Sequence, residues 1–151
     1  MVKKIPLIFN PSAHANKGSQ LADEIRKVST NIELIETKSF DHLKELVEGY
    51  VKDGIENICV AGGDGTINAV IDSILGTEIN LGVFPTGTMN LFAREMGLPL
   101  NNIKDCWNVI EKGKMAKILI EMHLSEESID CLLYTSDAAD EGLGVDLGGR
   151  R

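Results

Sequence analysis

Two short motifs rich in glycine and threonine carry the residues with the clearest chemical potential in this sequence. The first motif, Gly62-Gly63-Asp64-Gly65-Thr66, follows an apolar run and precedes a helical pattern. Glycines allow positive φ angles and close approach of a ligand, so successive backbone N–H groups can point at phosphate oxygens. The start of the following helix adds the positive end of its dipole, and Thr66 supplies a hydroxyl. The motif therefore predicts a phosphate-binding loop.

Asp64 is the unusual member of this loop, because a carboxylate repels phosphate unless a cation lies between them. It predicts a Mg²⁺ site, with the ion bound directly or through water, or a base for an attacking hydroxyl. Taken alone, the motif is explained about equally well as a plain strand-to-helix turn with Asp64 as the N-cap.

The second motif, Pro85-Thr86-Gly87-Thr88-Met89-Asn90, also follows a predicted strand and precedes a predicted helix. Alone, Thr88 and Asn90 are typical helix caps. Together, two such loops at neighbouring strand ends would face one crevice, which favours a shared nucleotide site. Neither loop is a GxxxxGK[ST] phosphate loop or the GxGxxG of dinucleotide-binding folds.

Alternating strand and helix patterns must position these loops. The predicted strands are Ile5–Phe9, Ile32–Thr37, Asn57–Ala61, Ile79–Phe84 and, beginning a further region, Lys117–Leu124. The predicted helices are Lys17–Ser29, a helix capped by Asp41 and ended by Gly54, then Thr66–Leu75, Asn90–Met96 and Ile103–Glu111. This alternation predicts an α/β fold, with helices on both faces of a doubly wound parallel sheet. Trp107 is expected in the core, and Cys59 is expected as a small apolar residue of a buried strand.

The composition excludes several other classes of protein. The chain has 151 residues, of which 43% are hydrophobic and 25% charged, as in ordinary folded domains. A net charge of −8 counts against nucleic-acid binding, which needs clustered Lys and Arg. Neither a transmembrane run nor a signal peptide is predicted. The expected location is therefore the cytoplasm, with Cys59, Cys106 and Cys131 as free thiols.

Three segments together resemble a known family. NPSA at Asn10–Ala13, GGDGTIN at Gly62–Asn68 and FPTGTMNLFAREMGLP at Phe84–Pro99 resemble the diacylglycerol kinase catalytic domain. They are most similar to bacterial soluble lipid kinases related to diacylglycerol and sphingosine kinases. The resemblance covers residues 3 to about 118 and implies the N-terminal fold shared by NAD kinases and diacylglycerol kinases.

The resemblance also implies a set of functional residues. The nucleotide-binding residues would be Asn10, Thr37, Gly62, Gly63, Asp64, Gly65, Thr66, Asn68, Gly87 and Thr88. Members of this family transfer the γ-phosphate of ATP, with Mg²⁺, to a lipid hydroxyl at a membrane surface. Asp64 would organise the metal and the phosphates. The chain departs from the family at Ala13-His14, where a Gly is common, and at Ala69, where Glu is common. Met89 and Leu91 replace a commoner small residue and Asp.

We expect three parts in the chain, and the resemblance defines the first two. Residues 1–116 would form the nucleotide-binding domain, and residues 117–130 would begin a second, β-rich domain. In this family the second domain supplies the lipid-facing surface and an acidic catalytic residue, the principal general base. We therefore expect the 151-residue chain alone to have little or no kinase activity.

The segment Cys131–Arg151 differs in character from the rest. Its first eleven residues, CLLYTSDAADE, resemble the in-frame translation of a transposase-type sequencing adapter, and GVDLGGRR resembles that of a flow-cell primer. We expect this segment to be non-native and the natural sequence to continue differently after Asp130.

Two alternative functions remain open at this point. GGDGT alone is shared with NAD kinases and phosphofructokinases, so a NAD kinase-like activity on a soluble dinucleotide is the first alternative; LFAREMGLP favours lipid kinases instead. The second is a non-catalytic nucleotide-binding module, favoured by Ala69 and by the missing domain. The sequence does not indicate which lipid is used or the oligomeric state.

Overall fold

A computed structural model describes residues 4–11, 14, 17–100 and 102–113, together with the backbone of three later strands. The chain divides into two compact units, Met1–Gly113 and Lys114–Arg151. The described strands of the first unit are Ile5–Phe9 (β1), Ile32–Glu36 (β2), Asn57–Gly62 (β3) and Asn80–Pro85 (β4). Its described helices are Gly18–Val28 (α1), Phe40–Lys52 (α2), Asp64–Ile74 (α3), Leu91–Glu95 (α4) and Ile103–Glu111 (α5).

The four strands form one parallel sheet in the order β2-β1-β3-β4. Leu7 of β1 is paired with Leu34 of β2 on one side and with Cys59 of β3 on the other. The chain runs outward from β1 to β2 and then returns across β1 to β3. The strand order therefore reverses between β1 and β3, where open α/β sheets bind ligands. The α/β class predicted from the sequence is confirmed.

Successive residues of each central strand point to opposite faces of the sheet. On one face, Leu7, Phe9 and Cys59 form a buried cluster with Ile25 of α1 and Trp107 of α5. The predicted core positions of Trp107 and Cys59 are thus confirmed.

The opposite face is covered by α2 and α3, which pack against each other. Ile8 and Val60 of the sheet are fully buried, as are Val47 of α2 and Val70 of α3. Apolar burial on both faces explains why β1 and β3 are almost continuously hydrophobic. The two central strands therefore provide a rigid base for the loops at their carboxyl ends.

The ends of the helices follow local capping chemistry. Ser39, and not the predicted Asp41, caps α2, because the Ser39 side chain accepts a hydrogen bond from the His42 N–H at 3.1 Å. Single glycines in the left-handed conformation follow the helices, for example Gly54 with φ 64° after α2 and Gly97 with φ 63° after α4. Helix α3 begins at Asp64, two residues before the predicted Thr66.

The second unit contains the strands Lys117–Leu124 (β5), Ile129–Ser136 (β6) and Leu143–Val145 (β7). They form an antiparallel sheet in the order β5-β6-β7. Strand β6 runs across the predicted beginning of the non-native segment at Cys131. In the portion of the chain that is described, no helix has the length and apolar character needed to span a bilayer.

Candidate functional site

The carboxyl ends of all four parallel strands carry predicted site residues or their neighbours. Asn10 follows β1, Thr37 follows β2, Gly63 follows β3 and Thr86 follows β4. Because these strands are parallel, the four loops lie along the same edge of the sheet, and the loops of β1 and β3 flank the reversal of strand order. The fold alone therefore makes this edge the candidate site.

A shallow pocket lies at this edge. Its lining residues are neutral: Asn10, Thr37, Ser39, Phe40, Leu43 and Thr66. Three of these six, Asn10, Thr37 and Thr66, were predicted from the sequence to contact one ligand. The structure brings them together from the ends of β1 and β2 and from the first turn of α3, although they are far apart along the chain.

Thr37 is fixed firmly in this pocket. Its backbone N–H donates to the Phe9 carbonyl at 2.8 Å, and its hydroxyl donates to the same oxygen at 3.3 Å. The residue is only 3% exposed. These two bonds join the ends of β1 and β2. Contacts within the chain therefore fix the position of Thr37 without a ligand.

The start of α3 forms the second wall. The Ile67 N–H donates to the Gly63 carbonyl at 3.0 Å. The N–H groups of Asp64, Gly65 and Thr66 precede this bond and have no acceptor within the helix. Such N–H groups, with the positive end of the helix dipole, form a binding site for an anion. Gly65 and Asn68 are exposed here, whereas Thr66 is buried at the pocket.

The glycines of the first loop do not use the positive φ angles that glycine allows. Gly63 has φ −87°, and positive φ among the described glycines occurs only at Gly54, Gly76, Gly97 and Gly113. Steric crowding is the actual reason for two of the loop glycines. A Cβ added at Gly62 would lie 2.6 Å from the Thr66 Cβ, and one at Gly87 would lie 2.5 Å from the Gly63 Cα. The two loops thus touch, backbone against backbone.

Gly65 is different from these packed glycines. A Cβ at this position would meet nothing closer than the Phe40 Cζ, at 4.0 Å. No intramolecular contact therefore requires glycine here, and the exposed backbone leaves room for a ligand.

Asp64 joins the two loops. Its two carboxylate oxygens each accept one backbone N–H from the start of α4, from Leu91 and from Phe92, both at 3.0 Å. The residue is half-buried. An ionised carboxylate has about four lone-pair positions, so each oxygen keeps one for a further partner. Asp64 is therefore a structural brace that connects α3 to α4. The sequence did not predict this role.

This geometry allows, but does not by itself create, a magnesium site. The described residues contain no group of three or more His, Cys, Asp or Glu side chains placed to hold a metal. Mg²⁺ in nucleotide sites is commonly held by one or two carboxylates, with the phosphates and water as its other ligands. A single partly satisfied carboxylate beside an anion site fits that pattern.

Two hydrogen bonds from the Asn90 side chain hold the second loop in place, and this role was also not predicted. Asn90 is 2% exposed and left-handed, with φ 51°. Its side-chain oxygen accepts the Gly87 N–H at 2.9 Å, and its side-chain nitrogen donates to the Gly87 carbonyl at 2.9 Å. The side chain therefore does not cap α4. The Gly87 N–H is engaged, whereas Thr88 lies exposed beside it.

His14 is the site residue that sequence reasoning missed. Its Nε2 lies 3.1 Å from the Thr86 hydroxyl oxygen, and its ring stacks on Phe9 with 5.5 Å between centroids. Burial lowers the pKa of His14, so the neutral ring is favoured in this position. The adjacent Ala13, a predicted departure from the family, lies outside the described residues.

The other departures from the family fall at contrasting positions. Met89 and Leu91 are well exposed, so a change of side chain there disturbs no core packing. The Arg94 Nε donates to the Met89 carbonyl at 2.8 Å and so supports this part of the loop. Ala69 is buried on α3, and its carbonyl accepts the Ser73 hydroxyl.

The family is established by sequence comparison. A family profile described as the diacylglycerol kinase catalytic domain matches residues 4–122. This range includes every predicted site residue and most of the chain, and the chain belongs to the diacylglycerol kinase catalytic domain family.

Individual relatives agree with this assignment. A diacylglycerol kinase of Mycobacterium tuberculosis is 37% identical over 70 residues, which are 46% of this chain and 23% of that protein. A diacylglycerol kinase of Staphylococcus aureus is 28% identical over 124 residues, 78% of this chain and 39% of that protein. A crystal structure of a diacylglycerol kinase from Bacillus anthracis superposes with a TM-score of 0.62 at 25% identity, covering 78% of this chain and 44% of that one. The chain thus spans less than half the length of each of these relatives.

Proposed function

We propose that this chain is the ATP-binding part of a lipid kinase that transfers the γ-phosphate of ATP to a lipid hydroxyl of the diacylglycerol type. The observation that carries the proposal is the set of helix-start N–H groups at Asp64–Thr66, placed beside a neutral pocket where the strand order reverses. Family membership supports the phosphotransfer chemistry.

In this proposal the backbone of the first loop holds the phosphates. None of the six described residues that line the pocket is Lys or Arg, so N–H groups and the Thr66 hydroxyl provide the binding. Mg²⁺ would neutralise the charge that develops during transfer, and Asp64 would hold the ion directly or through water. Thr37 and Asn10 would contact the nucleotide from the strand ends, while Thr88 would close the site from the second loop.

The other groups that the reaction needs would lie outside this nucleotide-binding unit. The lipid-binding surface and the general base would lie in a β-rich second domain, and the intact enzyme would work in the cytoplasm at the membrane surface. We expect the 151-residue chain alone to bind ATP but to phosphorylate diacylglycerol little or not at all.

A pair of glycine substitutions tests nucleotide binding at the first loop. Gly65 and Gly49 both lie in helices, and a methyl group at either position would meet no close neighbour. Alanine at either position should stabilise the fold, by up to about 1 kcal/mol, because alanine favours helix more than glycine. Gly65→Ala should also weaken Mg²⁺-ATP binding at least several-fold, because its methyl group lies where the phosphates approach.

Isothermal titration and urea unfolding measure these two effects separately. Gly49→Ala is the matched control and should keep the wild-type affinity. Equal ATP affinity in both variants, or no ATP binding by the unaltered chain, would contradict the proposal. A panel of diacylglycerol, sphingosine and NAD with the full-length gene product then distinguishes the lipid kinase from a NAD kinase-like enzyme.

A further inference from the structure

Phe40 is an exposed aromatic residue in the wall of the pocket. It is the first residue of α2 and is 52% exposed, although it lines the same pocket as Asn10, Thr37 and Thr66. Single exposed apolar side chains are common on protein surfaces. The position of this one beside hydrogen-bonding groups at the reversal of strand order calls for a more specific explanation.

The backbone that presents Phe40 is held by a series of hydrogen bonds. Thr37 is bound to the Phe9 carbonyl through both its N–H and its hydroxyl. The Lys38 N–H donates to the His42 Nδ1 at 3.3 Å, and the Ser39 hydroxyl accepts the His42 N–H at 3.1 Å. A side chain presented on such a fixed turn loses little backbone entropy when a ligand packs against it.

The location of Phe40 relative to the first loop indicates which part of a bound nucleotide it would contact. The Phe40 Cζ lies 4.0 Å from the position of a Cβ on Gly65, at the start of α3. The aromatic ring therefore borders the helix-start N–H groups that are proposed to bind phosphate. A nucleotide whose phosphates lie on those groups would carry its nucleoside toward a neighbouring wall.

The side of the pocket beside Phe40 and Leu43 suits a nucleoside, whereas the start of α3, which includes Thr66, is the wall proposed to bind phosphate. The described lining of the pocket combines one aromatic ring, one aliphatic side chain and four neutral hydrogen-bonding side chains, with no positive charge. Sites of this composition bind a flat, partly apolar group and orient it through a few polar contacts.

We infer that Phe40 contacts the nucleoside part of the bound nucleotide and so contributes to affinity for ATP but not for its phosphates. This inference rests on the proposed function, since it requires ATP at this edge of the sheet. Any base can stack on an aromatic ring, and loss of one such contact reduces affinity by about tenfold or more. Phe40 is thus a determinant of preference for a nucleotide over free polyphosphate.

The test compares ATP with tripolyphosphate on the full 151-residue chain, both with Mg²⁺, by isothermal titration. Phe40→Ala should weaken ATP binding about tenfold or more and leave tripolyphosphate binding unchanged. Phe40→Trp should keep ATP affinity, and its indole fluorescence should change on ATP addition; the unsubstituted 151-residue chain contains one Trp. Leu75→Ala is the matched control, because Leu75 is also exposed but lies at the opposite end of α3.

The outcomes separate the two proposals. Unchanged ATP affinity in Phe40→Ala, with ATP still bound by the unaltered chain, would overturn the role of Phe40 alone. An equal loss of ATP and tripolyphosphate affinity would also overturn it, because Phe40 would then support the phosphate loop. If the unaltered chain bound no ATP at all, the proposed function would fail as well.

Discussion

At the scale of single residues, Asp64 shows how a chemically suggestive residue can have a structural task. Its position in GGDGT predicted a metal-organising carboxylate, and that remains a proposal. The structure adds two hydrogen bonds, each of 3.0 Å, to the start of α4. These bonds connect loops that follow different strands, so Asp64 also determines how the second loop lies against the first.

Asp64→Asn is therefore expected to destabilise the fold. One oxygen is replaced by an NH₂ group that faces an N–H donor, so one hydrogen bond is lost and the charge near the helix start disappears. We expect a loss of about 1–2 kcal/mol in the free energy of unfolding, measured in urea. Asp72→Asn, at an exposed position of the same helix, should change it by less than about 0.5 kcal/mol. Equal effects of the two substitutions would refute the role of Asp64 as a brace.

Cys59 gives a pH-dependent prediction. Burial raises the pKa of its thiol from 9.0 to about 12, so the unfolded chain releases this proton before the folded chain does. The stabilisation by the neutral thiol is fully present below pH 9 and is lost as the pH rises toward 12. In Cys59→Ala the fall of unfolding free energy with pH should be less steep in this range, by about 1.4 kcal/mol per pH unit. Identical slopes for the two proteins in urea titrations would contradict this assignment.

At the scale of elements, apolar patterning was sufficient to predict the parallel strands and the main helices. The strand Ile5–Phe9 and the helix Ile103–Glu111 have the predicted bounds. A short apolar run that stops at Asn10 marks the strand, and apolar residues at helical spacing before Gly113 mark the helix. The contacts that shape the site could not be predicted in this way. His14 meets Thr86, and Asp64 meets Leu91, only after the sheet brings their loops together. Such pairings depend on the order of the strands in the sheet. The local hydrophobic pattern of a single sequence does not indicate that order.

The turn between β4 and α4 provides a prediction for a whole element. Asn90→Ala removes both hydrogen bonds to Gly87 and places alanine at φ 51°, where an ordinary L-residue is strained. We expect a loss of about 2–4 kcal/mol in the free energy of unfolding.

Asn90→Gly serves as the matched variant because it loses the same hydrogen bonds but accepts the left-handed conformation. It should be more stable than Asn90→Ala by about 1 kcal/mol in the same urea measurement. If Asn90→Ala were as stable as Asn90→Gly, the left-handed turn would not contribute as described.

At the scale of the whole molecule, the chain is one α/β unit followed by a short β-sheet unit. Every predicted site residue lies within Met1–Gly113, and the chain spans 39% of the matched Staphylococcus aureus relative. The division predicted from the sequence, into residues 1–116, 117–130 and 131–151, remains a prediction.

A truncated chain of residues 1–113 is therefore expected to fold and to bind Mg²⁺-ATP with the affinity of the 151-residue chain. The sheet, both covering helix pairs and the two loops are all retained in this segment. Circular dichroism melting and isothermal titration check folding and binding. A cooperative fold that had lost its ATP affinity would show that residues after Gly113 contribute to the site.

The location of the nucleotide is tested most directly by amide NMR of the ¹⁵N-labelled chain during titration with Mg²⁺-ATP. The largest shifts are expected at the carboxyl ends of the strands, at Thr37, Gly63, Gly65, Thr66 and Thr88. Shifts concentrated at the opposite edge of the sheet, near Asn31, Asn57 and Asn80, would contradict a nucleotide site where the strand order reverses.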